Sequence, residues 1–138
     1  MAAVEDLGGL SVFYANLGTG TFRVGDLTNT TGTAAAGSTL LLAPTSTIIA
    51  TTLTSDSPDS GVTQTIRLGS ITNIINAHTI NIGGSVAGRR SALVDFRTGT
   101  GTLTIRDLAG TGRAAVNLVS GATGTGANFT GTVNLAGH

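Results

Sequence analysis

The stretch from Gly110 to Ala115, GTGRAA, has the glycine spacing of a dinucleotide-binding turn. Such a turn needs a strand before it, a helix after it, and an acidic residue about 20 positions later to bind the ribose. No Asp or Glu occurs after Asp107, and residues 116–119, VNLV, favour a strand over a helix. The sequence therefore predicts a strand, a turn and a second strand here, with no nucleotide cofactor.

Two further kinds of site need residue types that the chain lacks or has in small number. A Walker-type phosphate loop uses a lysine to neutralise phosphate charge, and the chain contains no lysine. A nucleophilic triad needs a histidine as general base, and only His78 and His138 are present. We predict that His78, in NAHTINIGG, hydrogen-bonds to a turn near the start of a strand. The protein is therefore not expected to be an enzyme.

Two charged pairs lie in stretches typical of loops. Asp56 and Asp59, in SDSPDSG, offer carboxylate oxygens, but calcium takes about six to eight oxygen ligands. We interpret this stretch as a solvated turn and predict no metal ion. Arg89 and Arg90 form the only adjacent basic pair, and guanidinium groups bind carboxylates in bidentate geometry. They are candidate contacts with an acidic partner surface, and a solvated turn is the alternative.

Small residues dominate the composition, since Gly, Thr, Ala and Ser make up more than half of the 138 residues. Only 10% of the residues are charged, against about 25% in an average soluble domain, and the net formal charge is zero. A neutral surface favours association over repulsion and does not suit nucleic acid. The mean hydropathy of +0.31 is opposite to the signature of disordered chains. These features predict a folded protein that assembles with other proteins.

Residues 1–17 are predicted to form an apolar N-terminal arm, and residues 18–138 a single β-rich domain. The apolar side chains of this arm are Val4, Leu7, Leu10, Val12, Phe13, Tyr14 and Leu17. Glu5 and Asp6 stand where a secretory signal carries positive charge. We therefore expect synthesis in the cytoplasm without export, and no membrane partner.

Apolar residues alternate with Thr, Asn or Arg in six stretches, a pattern typical of half-buried strands. These stretches are residues 22–24, 65–68, 79–82, 102–106, 116–118 and 132–135. A glycine follows each within a few residues, and glycine supplies the positive φ that reversing turns require. Residues 39–54 are predicted to form two buried strands turned at Pro44. Helix signals are scarce, so the predicted fold is all-β. Four charged residues are expected to pair across neighbouring strands of this fold: Asp95, Arg97, Arg106 and Asp107.

The spacing of the strands favours one β architecture over another. Their first apolar positions, 22, 66, 80, 105, 116 and 133, are unevenly spaced along the chain. A solenoid stacks coils of nearly constant length, so we favour short strands in a sandwich, barrel or interwoven trimeric β-structure, with an irregular β-solenoid as the alternative. Short strands and small side chains make a marginal core for one chain. Several chains sharing a core would be more stable, and we expect a homotrimer.

The chain resembles the decoration or cement proteins of tailed bacteriophage capsids, in particular the compact β-rich trimers of cyanophage heads. The resemblance lies in the short apolar arm within AAVEDLGGLSVFYANLGTG and in Gly-Thr-rich strands such as GTGTFRVGDL and GTGTLTIRDL. It implies a virion protein on the capsid exterior that binds the major capsid protein and no small-molecule substrate. Under this resemblance, the arm residues Val4, Leu7, Leu10, Phe13 and Tyr14 contact a neighbouring subunit or the shell, together with Arg89 and Arg90.

A surface- or carbohydrate-binding β-structure from an adhesin, tail fibre or surface-layer protein is the alternative function. Carbohydrate sites usually present aromatic side chains, and the chain has four Phe, one Tyr and no Trp. A polysaccharide lyase or hydrolase built on a β-helix ranks third, because such a groove needs several carboxylates or basic residues together.

Overall fold

The computed structural model describes residues 3–25, 37–55, 62–83, 91–119 and 130–136. Within these ranges the chain forms strands and no helix. The strands are β1 Val4–Asp6, β2 Val12–Asn16, β3 Thr21–Val24, β4 Thr39–Leu41, β5 Thr45–Ser55, β6 Thr63–Leu68, β7 Thr72–Ile82, β8 Ser91–Phe96, β9 Thr102–Arg106, β10 Ala115–Leu118 and β11 Thr130–Val133. Asp56, Asp59, Arg89, Arg90 and His138 lie outside the described residues.

The strands form two sheets between which the chain alternates. Sheet I contains β1, β4, β6, β8 and β11 in that order. In sheet II, β5 and β7 lie at the centre, β2 and β3 pair with β5, and β9 and β10 pair with β7. Every pairing among the described strands is parallel. Each passage through both sheets makes one coil, and the coils stack as a short, irregular β-solenoid.

The first coil comprises β1 to β3, the second β4 and β5, the third β6 and β7, and the fourth β8 to β10, while β11 begins a fifth. The predicted all-β fold and the two strands on either side of Pro44 are confirmed. The described strands form no closed barrel. The reversing turns were predicted wrongly, because neighbouring strands come from consecutive coils and run parallel rather than antiparallel.

The strands are unevenly spaced along the sequence because consecutive strands belong to two different sheets. Along sheet I, one column of paired residues contains Leu40, Ile66, Val94 and Val133, one from each successive coil. Leu53 and Ile80 are paired in the same way in sheet II. Loops of different length are added between the strands, so the coil length varies while the register within each sheet stays continuous.

The core lies between the two sheets and consists mainly of aliphatic side chains. Ile66 and Leu68 of sheet I and Leu53 and Ile82 of sheet II are each at most 1% exposed. In a parallel, in-register sheet the members of a column point to the same face, so one inward residue per coil extends the core along the solenoid. The second and third coils therefore supply most of the buried side chains.

A buried asparagine joins successive coils at the corner between sheets I and II. Asn73 is 1% exposed, and its side chain accepts a hydrogen bond from Gly69 N at 2.7 Å. Its Nδ2 donates to Gly69 O at 2.9 Å and to Thr102 O, in the fourth coil, at 3.1 Å. A Cβ at Gly69 would overlap the carbonyl oxygen of Ala43 in the coil below, so only glycine allows this close approach.

Candidate interaction site at the ends of the solenoid

The glycine-spaced stretch 110–115 belongs to a turn between β9 and β10, as predicted. Asp107 closes this turn, because its Oδ1 accepts hydrogen bonds from Thr111 N and Gly112 N, both at 2.9 Å. The backbone N–H of Gly112, followed by that of Thr111, lowers the pKa of the Asp107 carboxyl below its usual value. These donors therefore bind a side chain of the same turn.

The remaining polar residues singled out in the sequence are spread over the structure. His78 is exposed in the middle of β7, so the prediction that it lies near a strand start was wrong. Asp95 lies 3.6 Å from the Arg67 side chain on β6, and Arg97 lies 3.0 Å from Asp6 in the first coil. Arg106 donates to Gly110 O at 3.0 Å. These groups hold strands and turns together and do not meet in one cleft.

Exposed apolar side chains, in contrast, gather at the two ends of the solenoid. Those of the first coil are Val4, Leu10, Val12, Tyr14 and Leu17, and those at the other end are Val116, Leu118 and Leu135. Ile71, at a corner of the third coil, is the remaining exposed large apolar residue among the described residues. End coils have a neighbouring coil on one side only, which leaves their strand edges and part of their core uncovered.

The N-terminal end, which we call the capped end, consists of the exposed Glu5 together with Phe13, Phe22 and Val24, and a surface cavity of about 250 Å³ lies beside Glu5, Phe22 and Val24. Phe13 and Phe22 are partly buried, with ring centroids 6.5 Å apart in an edge-to-face arrangement. Val24 is 7% exposed, although it lies in the outermost coil. Glu5 pairs with Leu40 and therefore occupies the inward column of sheet I, where the following coils have Leu40 and Ile66.

The C-terminal end, which we call the open end, consists of Leu103, Ile105, Val116, Leu118 and Val133. Val116 and Leu118 lie in inward columns, because they pair with the buried residues Ile80 and Ile82. They are nevertheless 45% and 50% exposed. Four residues of the open end, all but Leu118, also line a small cavity of about 20 Å³ that reaches into the core as far as Ile66. A small void therefore lies in the core beneath the open end.

The two ends differ within the same columns of sheet II. One column runs from Val24 through Ser55 and Ile82 to Leu118, and the exposed fraction is 7% at Val24, at most 1% at Ser55 and Ile82, and 50% at Leu118. The column beside it runs from Phe22, which is partly buried, to Val116, which is 45% exposed. Exposed apolar surface at a strand edge marks a protein–protein contact more often than a small-molecule site. We therefore take the ends as the candidate interaction site.

The interface residues predicted from the sequence lie in the first coil, where they are described. Val4, Leu10 and Tyr14 are 62%, 49% and 62% exposed, whereas Leu7 and Phe13 are partly buried and pack against the core. The open end was not predicted. Its signal in the sequence is the alternation of Val116 and Leu118 with Asn117, but that pattern resembles any half-buried strand.

No protein-family model matches this chain, and no curated protein or solved structure shows a significant similarity to it. Among the described residues, no helix has the length and apolar character needed to cross a membrane. Within the same ranges, histidine and carboxylate side chains form no group of three suited to a metal ion.

Proposed function

We propose that this protein is a structural, non-catalytic protein that assembles with copies of itself on a larger surface. The observation that supports this proposal is the position of the exposed apolar residues, which concentrate on the two end coils. In its most specific form, the proposal is a capsid decoration or cement protein that binds the outer shell of a tailed bacteriophage as a homotrimer.

In this proposal the first coil contacts the major capsid protein. Val4, Val12 and Tyr14, each 61% or 62% exposed, face outward on the two sheets and form the apolar part of the contact. Arg89 and Arg90 are proposed to contact acidic groups of the shell. Burying a valine or leucine side chain contributes about 1.5–3 kcal/mol, so a few such residues from each of three subunits give substantial avidity.

Co-sedimentation with capsid shells tests this function. The purified full chain is mixed with shells assembled from a major capsid protein encoded by the same genome, and bound protein is counted per shell. We expect saturable binding and an increased melting temperature of the shells. A variant with Val12→Thr and Tyr14→Ser should bind at least about tenfold more weakly. If the wild-type chain does not bind, or the variant binds equally well, the capsid proposal is wrong.

A surface- or carbohydrate-binding β-structure is the second candidate, and two observations favour it. A parallel solenoid with an open end is a shape that further coils can lengthen into a fibre. In addition, Tyr14 is the chain's single tyrosine and is 62% exposed, which suits stacking of its ring against a sugar. Glycan-array binding that is lost in Tyr14→Ser but retained in Val12→Thr would support this candidate over the capsid proposal.

A further inference from the structure

At the open end, no further coil covers the apolar columns of sheet II among the described residues. In the second and third coils, the inward residues of sheet II are covered by the next coil. Leu53, Ile80 and Ile82 are therefore at most 2% exposed. The same columns end at Val116 and Leu118 with about half of each side chain in solvent. An added layer of apolar side chains here would extend the core in the way that each coil within the chain already does.

Arg106 and Arg113 of the fourth coil do not obstruct such a layer. Arg106 is exposed and lies in the same column of sheet II as Asn76 and the half-buried Ile49. The positions of this column alternate with the buried core positions, so the column faces outward. Arg113 is exposed in the turn before β10. The inward positions of β9, β10 and β11 that lead to the open end are apolar, apart from the glycine at position 131.

A head-to-tail stack of copies would place the open end against the capped end, and the register argues against this arrangement. Sheet I would then continue from Val133 of one copy to Glu5 of the next, since both occupy the inward column. The carboxylate of Glu5 would then lose its water to an apolar valine side chain, which is strongly unfavourable. An inward-pointing charge on a short edge strand is a known protection against edge-to-edge pairing.

We propose that copies of this chain bind one another through their open ends, and that Glu5 excludes the capped end from this contact. The occupant of each open end is the open end of another copy, so the apolar residues Val116, Leu118 and Val133 are covered in every subunit. Contacts confined to one end of each molecule close on themselves, and the assembly stays finite instead of growing into a fibre. This inference rests on the proposed self-association, and it leaves the first coil free to contact the shell.

Light scattering coupled to size-exclusion chromatography, with two matched double variants of the full chain, tests this inference. Val116→Thr with Leu118→Gln makes the open end polar. Leu10→Gln with Val12→Thr makes the same changes of residue type in the first coil, where the side chains are 49% and 61% exposed. We expect the dissociation constant of the assembly to rise about 100-fold in the open-end variant and to stay within about threefold in the control. Circular dichroism checks that both variants retain β structure.

The outcomes of this experiment distinguish the open-end contact from self-association in general. A wild-type mass of three subunits supports the homotrimer, whereas two subunits overturn the trimer and still support the open-end contact. A monomeric wild type overturns both. If the open-end variant keeps the wild-type mass, or only the first-coil control dissociates, the open-end contact is wrong while self-association stands.

A labelling experiment gives an independent answer if the double variant is unstable. Because the chain contains no cysteine, Leu118→Cys or Val12→Cys carries a single environment-sensitive fluorophore. We expect the emission of the label at position 118 to shift to the blue as the protein concentration rises through the association range. The label at position 12 should not shift. A shift at position 12 alone would overturn the inference.

Discussion

The two ends of the solenoid have the same parallel strands but different terminal side chains. At the capped end, the columns finish with two phenylalanines, a buried valine and a glutamate. At the open end, they finish with Val116 and Leu118, which are about half exposed. Among the described residues, both ends have unpaired strand edges, so edge exposure alone does not distinguish them. Under the proposed open-end contact, the side chains in the inward columns decide which end accepts another molecule.

The largest expected effect is the loss of folding stability when a leucine at the centre of the solenoid is truncated, compared with the same truncation at the open end. Leu53→Ala, at a site 1% exposed, should lower the free energy of unfolding by about 3 kcal/mol, because the second coil cannot collapse around the lost volume. Leu118→Ala should cost at most about 1 kcal/mol in the monomer, since half of that side chain is already in solvent. Urea unfolding at protein concentrations below the association range measures both. Equal losses would mean that the open end is packed like the core.

Glu5→Leu should convert the capped end into a second adhesive end. Removing the carboxylate from the inward column of sheet I permits head-to-tail contact with Val133 of another copy. We expect this contact to strengthen by about 2–3 kcal/mol, roughly 100-fold, and to produce open-ended stacks. Sedimentation velocity would show species larger than the wild-type assembly. Glu5→Gln, which removes the charge but keeps a polar group, should enlarge the assembly less than Glu5→Leu does, and unchanged size in both variants would show that Glu5 is not the barrier.

Asn73→Ala should loosen the coil that carries the open end. It removes the hydrogen bonds to Gly69 N, Gly69 O and Thr102 O and leaves buried backbone groups without partners. The expected loss of stability is about 2 kcal/mol, with faster amide hydrogen exchange in β9 than in β2. Asn16→Ala is a suitable control, because its side chain accepts from Gly18 N at an exposed site in the first coil. Similar losses in both variants would contradict a special role for Asn73.

The smallest expected effect is the dependence of folding stability on acidic pH. The pKa of Asp6 is lowered from its ordinary value of 3.8, first by the Gly8 N–H and then by hydrogen bonding to Arg97. Because the folded pKa is the lower one, this carboxylate stabilises the fold fully above pH 3.8, and the contribution disappears as the pH falls through the folded value. Asp6→Asn should remove that part of the pH dependence. Hydrogen exchange in β1 against pH measures it.

Asp107 provides the matched site near the open end. Its pKa is also lowered, by backbone N–H groups of its own turn, so the sign of the pH effect is the same. Asp107→Asn should make the turn between β9 and β10 less stable and leave β1 unchanged. If either variant alters both ends equally, the two ends are coupled more strongly than their separate contacts indicate.

Local sequence patterns predicted the strands well but not their partners. Alternation in stretches such as TLTIR and TINI identified β9 and the end of β7, and Pro44 identified the boundary between β4 and β5. Pairing was not predictable in this way, since the column from Leu40 to Ile66 joins residues of different coils through loops of unequal length. Alternation is also the same whether a strand has neighbours on both sides or on one.

For the same reason, the sequence identified exposed apolar residues of the first coil but not the open end. Val4, Leu10 and Tyr14 stand out in an N-terminal stretch that lacks a regular pattern, and they are exposed in the structure. Val116 and Leu118 have an ordinary strand pattern, and their exposure depends on being in the last coil of sheet II that the structure describes. The acidic character of Glu5 was evident, but its place in the inward column was not.

The sequence by itself determined the all-β character, the positions of most strands and the neutral, small-residue surface. These properties depend on side-chain type and on a two-residue period, which are local. Only the tertiary structure decided that the strands run parallel in two sheets, that Glu5 and Val133 lie at opposite ends of one column, and that Val116 and Leu118 are about half exposed. Those properties depend on which coil stacks on which, and contacts between residues far apart in the chain set that order.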